Sequence, residues 1–191
     1  MKLWMKAVTS GILVMNLIAC SHQSTAPLDT VTNLDLDRFM GGWFVVATIP
    51  TPLEKDLYSP HEYYARNADG TIETIFSYRR GSLTAPVQEM RATGFVRDTN
   101  TNATWSMQPF WPIKAEYLVL YIQEPSQDAL QNALVSPRQE YQYTIIGRNK
   151  RDYLWIMARQ ARVQPDQLAE LIDRAVAFGY PRAAIQLPIH D

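Results

Sequence analysis

From residue 42 onward the chain is built from short runs rich in Val, Ile, Thr, Tyr, Phe and Trp, cut apart by turn signals. Such runs suit a pleated, half-buried surface. They fall at residues 43–49, 61–67, 71–79, 88–97, 103–108, 117–123, 141–148 and 153–159. Asp69-Gly70 marks a tight hairpin between the second and third, and Asn149 to Asp152 a polar turn between the last two. Consecutive hairpins impose an antiparallel meander, and eight strands suffice to close around one small cavity. The expected fold is therefore all-β: an eight-stranded antiparallel up-and-down barrel. One helix follows. Leu168, Leu171, Ile172 and Ala175 recur at spacings of three and four, Pro165 suits the first turn, and Gly179 with Pro181 ends it. Its single apolar face predicts packing on the outside of the barrel. A short strand near residues 185–187 is expected to rejoin the sheet.

The amino terminus has a different character. Lys2 and Lys6 precede an apolar stretch over residues 7–19. That stretch is too short to cross a bilayer, which takes about 20 apolar residues, and it fits a secretory signal instead. It ends in Leu17-Ile18-Ala19-Cys20, which resembles the bacterial lipobox. The resemblance implies cleavage before Cys20, lipidation of its thiol, and acylation of the new amino terminus by a fatty acid such as palmitate. Cys20 is the only cysteine, so no intramolecular disulfide can form. Acyl chains, each adding about 0.8 kcal/mol per buried CH₂, would hold the protein durably on a membrane. Ser21 follows the cysteine rather than Asp, which by the same resemblance implies the outer membrane of a Gram-negative cell. The expected organisation is a signal peptide over residues 1–19, a lipidated tether over 20–33, rich in small polar residues, and a barrel domain over 34–191.

Composition excludes several classes. Without Lys2 and Lys6 the balance is 16 basic residues against 19 acidic, with no K/R-rich run, which argues against nucleic acid as a partner. His22, His61 and His190 are scattered, and no metal-ligand spacing, nucleophile elbow or glycine-rich phosphate loop is present. No metal, cofactor or catalytic residue is expected. Oligomeric state stays open, a homodimer being one option.

Three stretches together resemble the lipocalin family, in particular its bacterial outer-membrane lipoprotein type. Residues 36–47 hold Gly41-x-Trp43 after a short helical turn; residues 152–159, Asp-Tyr-Leu-Trp-Ile-Met-Ala-Arg, look like the family's eighth strand and terminal arginine; the helix follows at the expected distance. The resemblance makes Gly41, Trp43 and Arg159 structural: Trp43 points inward at the closed end, and Arg159 lies across the indole and bonds carbonyls of the preceding turn. A cation over Trp is worth roughly 0.5–2 kcal/mol. Two departures stand out. Phe44 replaces the common Tyr, and residues 124–140 link the sixth and seventh strands by far more than a tight hairpin. Strand order puts this link at the closed end, beside Trp43.

Alternation along each strand then fixes an inward set. Trp43 brings in Val45 and Ala47, and Arg159 brings in Trp155 and Met157. By analogy with the family the remaining ligand-binding wall is Tyr64, Thr74, Phe76, Met90, Ala92, Trp105, Met107, Tyr117, Val119 and Tyr121. Aromatics and methionines with a few hydroxyls suit an acyl chain or flat apolar ring. Glu62 shares the parity of Tyr64 and is expected as a solvated rim group. The functional expectation is a lipid-binding lipoprotein holding a fatty acid, a lysophospholipid or a similar apolar ligand, for lipid transport, storage or envelope maintenance. Three alternatives remain: a filled barrel acting through its outer surface, an enzyme on a bound apolar substrate, or a tetrapyrrole carrier, for which no axial histidine is evident.

Overall fold

The computed structural model describes residues 26–124 and 140–191. The strands are β1 (Gly41–Ile49), β2 (Leu57–Arg66), β3 (Ile72–Arg80), β4 (Val87–Val96), β5 (Thr104–Phe110), β6 (Ile113–Gln123), β7 (Tyr143–Gly147) and β8 (Leu154–Ala158). Each pairs antiparallel with its neighbour in sequence, and β1 pairs with β8, so the sheet closes into the expected up-and-down barrel. The Asp69-Gly70 hairpin forms as its sequence dictates. Gly70 takes φ +83°, a region that costs glycine nothing, and the Asp69 carboxylate accepts from the Thr71 backbone N–H at 2.9 Å.

A short helix α1 (Leu36–Phe39) leads into β1, with the Asp35 side chain capping its first N–H groups. The later helix α2 (Pro165–Ala177) begins with Pro165 in its first turn and ends before Gly179, at φ +93°. Leu171 and Ala175 of α2 are fully buried against the outer barrel face, in a cluster with Val46, Ala47, Leu118, Leu120, Ile145 and Ile156. Inside the barrel lies a second apolar cluster, built on Phe39, Trp43, Tyr64, Trp105 and Tyr117. One sheet therefore serves two cores.

Two register shifts make the outer core possible. β1 is irregular between Val45 and Ala47, and β6 between Val119 and Tyr121. A bulge puts an extra residue on one strand and resets its in–out parity. Val45 and Val119 belong to the inner cluster; Val46 and Ala47, then Leu120 and Tyr121, turn together toward the outer one. Ala47 is therefore outside, not inside as strict alternation predicted.

The strand directions define two ends. The closed end holds α1, the connections 67–71 and 97–103, and both ends of the link at 124–140, whose interior lies outside the described residues. Glu124 ion-pairs with Arg38, and Glu140 lies 3.6 Å from the Arg159 guanidinium. The open end holds the connections 50–56, 81–86, 111–112 and 148–153.

Both termini pack onto the barrel. Residues 28–33, inside the stretch expected to be a tether, dock on the barrel together with Leu34. Leu28 N–H donates to Asn149 Oδ1 at 2.7 Å, Val31 N–H to the Val119 carbonyl, and Leu34 is completely buried. At the other terminus the expected strand near 185–187 is reduced to one bridge, Thr48 with Gln186. Pro188 has no N–H to extend the ladder. The tail nevertheless seals a seam: β1 pairs with β2 only over Gly41 to Phe44, and beyond that point Gln186 bonds Thr48 while Ile189 accepts from Ser59 of β2.

Candidate functional site

The closed half of the barrel is solid. Trp43 is fully buried, and its indole N–H donates to the Phe39 carbonyl at 2.8 Å. The Arg159 guanidinium stacks over the indole at 3.8 Å. Its N–H groups reach the carbonyls of Gly42 (2.9 Å), Arg38 (2.8 Å), Phe39 (3.3 Å) and Tyr141 (3.1 Å). These carbonyls belong to α1, to the start of β1 and to the segment before β7, and the guanidinium fork ties all three together. Burial draws the Arg159 pKa down to about 10, against the opposing charge of Glu140, so the group stays cationic at neutral pH. Gly41, at φ +92°, lets the chain pass beneath the guanidinium.

Above the plug, aromatic rings fill the bore. Phe39 meets Trp105 edge-on at 5.4 Å, and Trp105 stacks on Tyr117 at 5.1 Å with their planes 8° apart. Trp105, Val119 and Met157, expected as ligand contacts, belong to this packed layer and do not line the cavity. Tyr121 departs further. The β6 bulge turns it outward, where its ring carries the Arg174 guanidinium of α2 at 4.6 Å.

The open half is hollow. A cavity of about 340 Å³ is lined by Tyr64, Thr74, Phe76, Met90, Ala92, Met107, Tyr117 and Trp155 from the expected set. To these the structure adds Glu54, Glu62, Leu53, Pro52, Phe110, Ile113, Ala115 and Tyr153, most of them carried by the mouth loops and strand ends. A second pocket of about 180 Å³, which shares Glu54, Phe76 and Trp155 with the cavity lining, lies at the seam covered by residues 186–189. Rim side chains Leu53, Phe110 and Ile113 are at least half exposed, and Trp111 is 85% exposed.

The cavity floor is polar. The Tyr64 and Tyr117 hydroxyls bond each other at 2.7 Å, and burial, then the Glu62 charge, hold both phenols well above their ordinary pKa. Glu62 is no rim group: its Oε2 is fully buried without a hydrogen-bond partner. Burial, aided by the nearby Glu54 carboxylate, pushes the Glu62 pKa up to about 8. Thr74, 4% exposed, likewise leaves its Oγ1 unpartnered. Glu54, by contrast, is held: it accepts from the Thr51 N–H at 2.9 Å and the Trp155 indole N–H at 3.3 Å. Burial still raises its pKa, against those bonds. Inward parity was the only sequence signal for Glu62, and nothing in the sequence pointed to Glu54, which a loop brings in. No grouping of three or more His, Cys, Asp or Glu suited to a metal occurs among the described residues.

A barrel plugged at one end and hollow at the other is a calyx, an architecture that encloses a small apolar molecule away from water. The chain belongs to the lipocalin family: the family model described as a lipocalin-like domain matches residues 34–189. The chain is similar to temperature-induced lipocalin-1 of Arabidopsis thaliana, at 29% identity over 80% of this chain and 77% of the relative. It is also similar to the outer membrane lipoprotein Blc of Escherichia coli (strain K12), at 24% identity over 91% and 88%. Insecticyanin from the tobacco hornworm Manduca sexta shares the fold, with a TM-score of 0.59 at 12% identity, covering 85% of this chain and 84% of that one. The protein is thus a lipocalin-type binder of small apolar ligands.

Proposed function

We propose that this lipocalin is an exported lipoprotein, acylated on Cys20 and held at the outer membrane, whose barrel takes up a single-chain lipid for transport, storage or envelope maintenance. The observation that carries this reading is the cavity: apolar walls of Phe76, Met90, Met107 and Trp155, open at one end through a rim of exposed apolar side chains. Binding, not catalysis, is the activity this arrangement supports.

The docking of Leu28 supports the membrane part of the proposal. Leu28 is tied to Asn149 in an open-end loop, so the segment that precedes the barrel docks on the same side as the cavity mouth. Trp111, Phe110 and Leu53 then lie toward the surface that the acyl chains would occupy, and an exposed Trp with apolar neighbours suits a bilayer interface. The similarity to proteins named outer membrane lipoprotein supports the location.

The test uses the full chain with Cys20→Ser and the uncharged fluorophore N-phenyl-1-naphthylamine. Bright emission that single-chain C12 amphiphiles displace at micromolar concentration is the expected result. No enhancement, and no displacement by any chain, would sink the proposal. Globomycin sensitivity of processing, with loss of membrane association in the Cys20→Ser chain, checks the anchor separately.

A further inference from the structure

The walls of the cavity are apolar, but its floor holds two buried oxygens that bond nothing: Glu62 Oε2 and Thr74 Oγ1. A buried polar atom without a partner costs about 1–3 kcal/mol, more if charged, so such pairs are rarely left idle. Both residues line the cavity together with the hydroxyl-bonded pair Tyr64 and Tyr117. The floor thus offers hydroxyl and carboxyl oxygens with unused acceptor capacity.

Its charge has one sign. The groups facing Glu62 are Tyr64 on its own strand, Tyr117 of β6, and Glu54 from the β1–β2 loop. Arg91 is the one cationic residue among the described lining residues. Its guanidinium is engaged with Glu73 and Glu89 on the outer surface, since its neighbours Met90 and Ala92 are the inward pair. A carboxylate or phosphate reaching this floor would find two carboxyl groups and no cation, and an unpaired charge there is costly.

We propose that Glu62 and Thr74, with the Tyr64–Tyr117 pair, form a subsite for the hydrogen-bond-donating end of a single-chain amphiphile, an amine or a hydroxyl, inserted polar end first. This rests on the reading of the barrel as a lipid-binding site and narrows its ligand class. An ammonium satisfies Glu62 Oε2 as a charge-assisted pair; a hydroxyl satisfies the same atom, or Thr74 Oγ1, as a neutral donor. Since burial raises the Glu62 pKa to about 8, an ammonium that pairs with the carboxylate expels a proton near pH 7, whereas an alcohol does not.

Dodecylamine, 1-dodecanol and laurate differ only in their polar end and make the test. With the full chain carrying Cys20→Ser, displacement of N-phenyl-1-naphthylamine at pH 7 should rank dodecylamine at least tenfold tighter than laurate, with dodecanol between. Calorimetry in buffers of different ionisation enthalpy should show proton release approaching one per dodecylamine and none for dodecanol. In Glu62→Gln the amine preference over laurate should collapse and the proton release vanish; Thr74→Val, which keeps the shape, should weaken dodecanol about threefold. Laurate binding as tightly as dodecylamine, or a Glu62→Gln ranking identical to wild type, would overturn the subsite while leaving the binding barrel standing. Failure of the fluorophore and all three chains to bind would overturn both.

Discussion

The two halves of the barrel share the same strands but solve opposite problems. At the closed end every inward polar group is paired: the Trp43 indole on Phe39, and Arg159 on four carbonyls as well as on the indole face. Toward the mouth, Glu62 and Thr74 keep buried oxygens unpaired around empty space. A fully satisfied network stabilises and specifies a fold, whereas an unsatisfied one costs stability that folding alone does not recover. The difference separates the residues that build the barrel from those we propose to meet a ligand.

The contrast breaks most visibly at Arg159. Arg159→Ala should cost about 3–5 kcal/mol, because the acceptors it serves stay buried without donors; a denaturant midpoint shifted by less than a third of that would show the plug to be dispensable. Trp105 lies in the same packed layer, so Trp105→Arg should also unfold the domain and cannot report on ligand binding.

Glu62 gives the next largest effect, seen as a dependence on pH. Its pKa is about 8 in the fold and near 4.3 in an unfolded chain. Between these values the unfolded state has lost the proton that the native state keeps, so stability falls as pH rises through this window and levels off above it. The loss should be on the order of a few kcal/mol. Glu62→Gln should flatten the profile; an unchanged slope would mean that Glu62 is solvated.

Filling the hollow half should be tolerated where disturbing the solid half is not. Ala92→Phe points a ring into the cavity and should weaken displacement by any C12 chain at least tenfold, about 1.4 kcal/mol, while the melting temperature barely moves. A large fall in stability would mean the space is already occupied by the fold. Smallest of all, Trp111→Ser at the rim should leave stability within about 0.5 kcal/mol of the parent chain, but reduce binding of the Cys20→Ser chain to phospholipid vesicles if the mouth meets the membrane.

Much of this was legible without coordinates. Strand composition and turn chemistry are local, so the runs around Ile75, Val119 and Ile156 read as strands, and Asp69-Gly70 as a hairpin. The wall residues Thr74, Phe76, Met90 and Ala92, given by analogy with the family, keep strict alternation because β3 and β4 pair without a register shift. The same logic failed at Ala47 and Tyr121. Val45 to Ala47 and Val119 to Ile122 are apolar at both parities, so the bulges within them leave no mark on the pattern.

The sequence by itself determined a meander with an outer helix, since these depend on periodicity and on short-range chemistry, while the Trp43–Arg159 plug was implied by the family resemblance. Only the tertiary structure decided which inward residues fill the bore and which enclose space. Depth along the barrel depends on strand tilt and register, which no single strand records. It also decided the character of the site. Glu54 arrives on a loop, and Glu62 reads as an ordinary surface carboxylate until Trp43 of β1 and Phe76 of β3 are paired beside it. Burial and an unpartnered oxygen are properties of neighbours brought together by folding, and they turn a plain glutamate into the group that selects the ligand we propose.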